Sequence, residues 1–256
     1  MFRGKMVTEA IPERVYALCK IVEKGPISSS DLKEKMEPDY LKQQSSYYNS
    51  YRKAAEELEL ITVSDNMISL AVEQEHIKTI QDMRQYINGI LERFKGEQFY
   101  QVTKEFFDMD SDVLMGGKNI ATWTSFSEDL KTDHMSLRAW RFWFSFLGFG
   151  FMHEMFPIPN ASGFLWDIIS HSKVERGKMI PFNDFIGNIR PECNIIISTE
   201  EKNKRISFGV SNGLRTLHDA GYIKMEHIMD QEDIWTLYPL KSHALSQSVT
   251  NIMICK

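Results

Sequence analysis

The sequence predicts a mostly α-helical fold with small β-hairpins, in which two similar end units flank a helical middle region. Three observations predict it. Near each end, short segments with a helical apolar period run into two β-prone stretches divided by turn-forming residues. The middle carries longer helical periods and a dense aromatic run, Trp140 to Phe151. A shift of 162 residues lays one helix-to-strand joint on the other, placing Lys53 on Arg215, Ala55 on Leu217 and Ile61 on Ile223.

Taken in order, Ile11 to Lys24 has Pro12 in its first turn and Val15, Leu18, Cys19 and Val22 at helical spacing, and Gly25-Pro26 stops it. Ile27 suits a short strand. Ser28 and Asp31 have capping-box spacing for a helix reaching about Met36. A third helix, about Ser45 to Glu59, has Tyr51, Ala54, Ala55 and Leu58 as its apolar stripe. Strands Leu60–Val63 and Met67–Leu70 follow, joined through Ser64-Asp65-Asn66. Three short helices and a hairpin within one small unit are the layout of a winged helix-turn-helix.

Residues 75–95 and 97–107 read as helices, and 108–133 as polar and irregular. Leu137 to Met155 reads as one helix with aromatics on every side, buried on most of them and ended by Pro157 and Pro159. The last third repeats the opening: helices Gly163–Ser172, Phe182–Ile189 and Ser207–Ala220, a stop at Gly221, then a hairpin of Tyr222–Ile228 with Ile234–Tyr238. The expected organisation is a winged helix over 1–72, a helical middle over 73–160, a second winged helix over 161–240 and a tail over 241–256.

Composition bounds the function. The 256 residues are 43% hydrophobic and 25% charged, enough apolar side chain for a packed core and too much for disorder. Three dispersed cysteines, none in a Cys-x-x-Cys pair, argue against structural zinc and fit a reducing, cytoplasmic setting. No secretory leader is read at the N-terminus. The longest uncharged apolar stretch, Phe142 to Met152, is far short of the roughly 20 residues a membrane span needs. The net charge of −5 collects in the middle: residues 1–72 hold 10 basic and 11 acidic side chains, 73–160 hold 9 and 13, and 161–256 hold 11 and 11. Nearly neutral ends allow a nucleic-acid partner without demanding one.

The third helix supplies the sharpest candidate site. From Leu41 to Ala55 no acid occurs, while Lys42, Arg52 and Lys53 are basic and Ser45, Ser46, Tyr48 and Asn49 offer short polar groups. In a helix-turn-helix the start of this helix enters the major groove, and its N-terminus attracts phosphate. The alternative is a solvated face used for protein contacts. The second unit offers Lys202, Lys204 and Arg205 before its third helix and Ser207, Ser211, Asn212 and Arg215 on the side expected to be exposed, with Glu200 and Glu201 just ahead. Two such sites would steepen the salt dependence of duplex binding.

Other motifs carry little chemistry. Asp108-Met-Asp110-Ser-Asp112 opens like a calcium loop, but Val113 and Asn119 stand where Gly and Glu belong, so helix-end capping and solvation explain it. Gly116-Gly117-Lys118-Asn119 is no P-loop, the glycines at 148 and 150 form no dinucleotide fingerprint, and His153-Glu154 lacks the second His of a zinc protease. No catalytic residue, metal site or cofactor is expected.

Three segments, IPERVYALCKIVEKGPIS, LRAWRFWFSFLGFGF with PIPNASGFLWDII, and GLRTLHDAGYIKMEHIMDQEDIWTLYP, touch most of the chain and together resemble the DpdG-like proteins. These are winged-helix components of prokaryotic gene clusters that place 7-deazaguanine derivatives in DNA and restrict foreign DNA. The resemblance implies an antiviral defence setting and a non-enzymatic accessory role near DNA, and transfers no catalytic residue. The expectation is therefore a non-enzymatic, cytoplasmic, duplex-DNA-binding accessory protein, with other subunits of a defence or modification complex as further partners. The rival is a winged-helix interaction module without DNA binding, like the paired winged-helix proteins that clasp the flexible kleisin subunit of chromosome-organising complexes. For that rival the aromatic helix should offer an apolar groove.

Overall fold

The structure, a computed structural model, describes residues 1–41, 46–197 and 203–256. The chain opens with α1 (Pro12–Val22), β1 (Ile27–Ser28), α2 (Ser29–Met36), α3 (Tyr48–Glu57), β2 (Ile61–Ser64) and β3 (Met67–Leu70). Pro12 starts α1, which buries Val15, Leu18, Cys19 and Val22. Ser28 Oγ caps α2 by accepting from the Asp31 amide at 3.1 Å. Asp65 and Asn66 both have positive φ, as a two-residue turn matched to strand twist requires. The strands form an antiparallel sheet in the order β1-β3-β2.

The middle comprises α4 (Ile80–Ile90), α5 (Gln98–Asp108), α6 (Thr124–Asp129), α7 (His134–Phe146) and the hairpin β4 (Gly150–His153) with β5 (Phe156–Pro159). The expected helix over Leu137–Met155 therefore stops early. Gly148 takes φ +81°, the left-handed conformation that ends helices at little cost, and the chain turns into β4. Pro157 and Pro159 lie in an edge strand, where a missing amide is tolerated. Trp140, Trp143 and Phe144 are core residues, and the Trp140 indole donates to Thr103 Oγ1 at 2.9 Å. The N-terminal segment threads this core: Phe2 packs edge-on against Trp143, whose indole donates to the Ala10 carbonyl at 2.6 Å.

The last third holds α8 (Ser162–His171), β6 (Met179–Pro181), α9 (Phe182–Cys193), α10 (Phe208–Asp219), β7 (Ile223–Glu226), β8 (Trp235–Thr236), β9 (Ser248–Val249) and β10 (Asn251–Ile254). Two expectations are corrected. Tyr222–Ile228 does not pair with Ile234–Tyr238. Instead β7 pairs with β10, giving the antiparallel order β6-β10-β7, and β8 pairs with β9. The apolar alternation decides this: Ile223 and Met225 of β7 and Ile252 and Ile254 of β10 are all buried, whereas Ile234 stays exposed and Trp235 packs on Phe182. Residues 241–256 are thus no free tail, because they supply the central strand of this sheet.

The two ends share an order: helix, strand, helix, helix, strand, with a final strand between the other two. Ile61 and Ile223 each open the strand after the third helix, and both are buried. The ends differ in what lies against them. In α10, a Cβ on Gly213 would stand 2.8 Å from the Ala161 and Ser162 backbone, and one on Gly209 would strike Phe107 and Pro159. The α10 helix is therefore wedged along its glycine face against the start of α8 and, at Gly209, against the middle region.

Candidate functional site

On α3 the exposed side chains are Asn49, Lys53 and Glu56, with Arg52 half-buried. Arg52 pairs with Glu56 at 3.3 Å, and the Lys53 ammonium lies 3.8 Å from Glu57. Tyr48, expected to face solvent, is only 2% exposed, and its hydroxyl bonds Ser29 Oγ at 3.2 Å. Ser46 is exposed, but its hydroxyl donates to Glu37 at 2.6 Å. That same carboxylate accepts from the Tyr47 amide at 3.0 Å and the Tyr51 hydroxyl at 3.1 Å. Burial first, then Glu37, raises the Tyr51 pKa, so this phenol keeps its donor proton. Glu37 thus sits at the α3 N-terminus, where a phosphate would be drawn by the helix dipole. Lys42 and Ser45 lie outside the described residues.

The second unit departs further from expectation. Arg215 is 3% exposed, and none of its three guanidinium nitrogens has a hydrogen-bond partner among the described residues. Burial lowers its pKa, opposed by Asp219 one turn on. Ser211 is fully buried, accepting from the Tyr238 amide and donating to the Ile206 carbonyl. Ser207 and Asn212 are half-buried, Lys204 pairs with Asp233, and Lys202 lies outside the described residues. Arg205 is exposed and pairs with Asp110 at 2.7 Å, while the other oxygen of Asp110 takes the Phe208 amide at the start of α10. Both third helices therefore carry one of the protein's own carboxylates on an N-terminal amide. The solvent strip of α10, formed by Asn212, Thr216 and Asp219, holds one acid and no base.

These contacts have measurable consequences. Arg215→Met is expected to stabilise the fold by about 1–2 kcal/mol, because it removes a buried, unpaired charge and keeps the apolar stem; a rise in Tm of about 2–6 °C would be read by calorimetry. Asp110→Ala is expected to cost about 1–2 kcal/mol through the lost cap, and urea unfolding measures it. A substitution at Asp110 without effect on stability would remove the capping role.

The α7 helix presents the feature that motif reading passed over. Met135, Arg138 and Phe142 follow one another at i, i+3 and i+7 and all are exposed, with Arg141 half-buried beside them. Phe142 stays 40% exposed although its neighbours Trp140, Trp143 and Phe144 are core. The β4–β5 hairpin brings Met152 and Met155 to the same groove of about 400 Å³, which Pro12 and Glu13 also line. The Arg141 guanidinium lies over the Phe142 ring at 5.3 Å, and Arg138 reaches only Met135 Sδ at 3.8 Å. The spacing of Met135, Arg138 and Phe142 was readable as a helix stripe, but the surrounding aromatics masked it.

Asp108 pairs with Lys104 and Asp110 caps α10, so the alternating acids do not converge. Among the described residues no three His, Cys, Asp or Glu side chains are grouped to hold a metal. The three cysteines are free, and burial pushes the Cys19 thiol up to about 12, away from nucleophilic use. His218 Nδ1 accepts from the Met225 amide at 3.0 Å, a structural role at the β7 start. A cleft of about 780 Å³ between α4, α8 and α9 has Asp167 in its wall, already held by Arg84 and Asn88. Among the described residues no helix is long and apolar enough to cross a membrane. Comparisons with protein-family models, curated proteins and solved structures give no match.

Proposed function

We propose that the protein is a non-catalytic interaction subunit in which two winged-helix units brace a helical middle, and the α7 face holds another protein. The observation that carries this reading is the solvent stripe of Met135, Arg138 and Phe142 beside the groove lined by Met152 and Met155. Exposed aromatic and methionine side chains gathered at a concavity, with arginines at the rim, are the composition of a protein interface. Glu37 and Asp110 on the N-terminal amides of α3 and α10 support it, since each takes the place a duplex phosphate would fill. The partner would belong to a prokaryotic DNA-modification or antiphage assembly, as the resemblance to DpdG-like proteins implies.

Co-expression with the products of neighbouring genes tests the reading. A tagged wild-type chain should bring down one of them in stoichiometric amount, and Phe142→Ser/Met155→Ser should lose it while melting at an unchanged temperature. Retention by that variant would discard the α7 face as the contact.

A second reading keeps duplex DNA on the first unit alone. It is favoured by the exposed Asn49 and Lys53, next to an acid-free run from Leu41 to Ala55. A low-salt gel shift of the wild type against Arg52→Ala/Lys53→Ala separates the two. Retarded duplex that the variant fails to retard would support DNA contact through α3, whereas no retardation by either protein leaves the interaction subunit alone.

A further inference from the structure

Charge decides what kind of segment the α7 groove can accept. Arg141 lines the groove and Arg138 lies one turn before it on α7, and neither guanidinium has a carboxylate partner among the described residues. Some other surface cations do have carboxylate partners: Lys5 with Asp133, Lys118 with Glu154, Arg205 with Asp110. Burial, with repulsion from Arg138, lowers the Arg141 pKa, as for a cation that lacks compensation. The acids bordering the groove are Glu154, held 3.6 Å from Lys118, and Glu13 in the first turn of α1, where the helix N-terminus favours its charge. The α7 side of the rim is thus positive, while Glu13 on the α1 side has no cation partner among the described residues.

We propose that the groove takes an acidic amphipathic helix from a partner protein. Its apolar face would cover Phe142, Phe146, Met152 and Met155, and carboxylates along one edge would pair with Arg138 and Arg141. Two carboxylates at i and i+3 or i+4 of such a helix match the one-turn spacing of the arginines. Arginine's planar fork adds bidentate geometry to the pairing. This inference rests on the interaction reading above and narrows it to one partner chemistry.

The test uses three synthetic helical peptides of roughly 18 residues, about five turns, with the same Leu/Phe face and Glu, Gln or Lys along the flanking edge. Fluorescence polarisation against the full-length protein should rank them Glu, then Gln, then Lys. Arg138→Glu/Arg141→Glu should weaken the Glu peptide at least about tenfold and turn the ranking around, and Phe142→Ala should weaken all three. Arg138→Gln/Arg141→Gln, which should flatten the ranking, serves if charge reversal impairs folding. Equal affinity for all three peptides, with loss on Phe142→Ala, overturns the acidic partner while leaving the interaction face standing. No binding of any peptide overturns both. A dimer of the protein alone that Phe142→Ser splits into monomers gives the groove to a second copy and overturns the proposal as well.

Discussion

Asp167→Ala is expected to destabilise the protein by about 3–5 kcal/mol, a large share of the stability of a domain this size. Asp167 is a buried α8 carboxylate that accepts from Arg84 Nε at 2.7 Å, Arg84 Nη2 at 2.8 Å and Asn88 Nδ2 at 2.7 Å. Asn88 in turn donates to the Leu147 carbonyl at 3.1 Å, just past the end of α7. One carboxylate therefore ties α4, α8 and the α7 terminus together. Removing it strands a half-buried guanidinium and a buried amide, and the lost interaction is compounded by the desolvation of the amide. Equilibrium denaturation in urea reads the change. Arg84→Met/Asp167→Leu should lie closer to the wild type than Asp167→Ala does, because replacing both ions removes the uncompensated charge. If the double variant is no better, the cost is one of shape and not of charge.

Gly148→Val is expected to be as severe, through backbone contact. Gly148 has φ +81°, and a Cβ there would stand 2.5 Å from the Phe164 nitrogen and 2.7 Å from the Gly163 backbone. Left-handed strain costs on the order of 1–2 kcal/mol, and a clash with main chain, which cannot swing aside, adds about 1–3 kcal/mol more. A fall in Tm of roughly 10 °C or more should follow. Gly163→Ala probes the other side of the same crossing, since its Cβ would lie 2.9 Å from Gly148 Cα. A Gly148→Val protein melting like the wild type would mean that α8 does not pack on this turn as described.

The parts of the fold readable from residues were those governed by local chemistry. Pro12, the Ser28 cap, the Asp65-Asn66 turn and the Gly221 stop each act within a few residues, and each stands where the sequence places it. Errors arose where a distant partner decides. The β7 strand pairs with β10 across a long insertion, and nothing local in Tyr222–Ile228 selects Asn251–Ile254 over the nearer Ile234–Tyr238. The α7 helix stops at Gly148 because α8 needs that close approach, so an aromatic run that continues the helical period proved misleading.

The candidate site was less legible for a related reason. Laying Lys53 on Arg215 carried the exposure of one onto the other, although Gly209, Val210 and Gly213 marked α10 as a helix pressed close on more than one side. Helix-end capping was expected of the Asp108–Asp112 cluster, but nothing local in the sequence ties Asp110 to the distant Phe208 amide or Glu37 to the Tyr47 amide. Phe142 was expected to share the aromatic core, and the fold corrects this by leaving it exposed while Trp140 and Trp143 are buried.

The central claim, that this chain meets its partner through the α7 face and not through α3, can be tested by placing a photoreactive phenylalanine analogue at position 142 in one protein and at position 49 in another. Illuminated in cells carrying the neighbouring genes, the position-142 protein is predicted to form a single covalent adduct with another protein, and the position-49 protein to form none with DNA. Adducts of position 49 with duplex DNA, with position 142 left unreacted, would contradict the account.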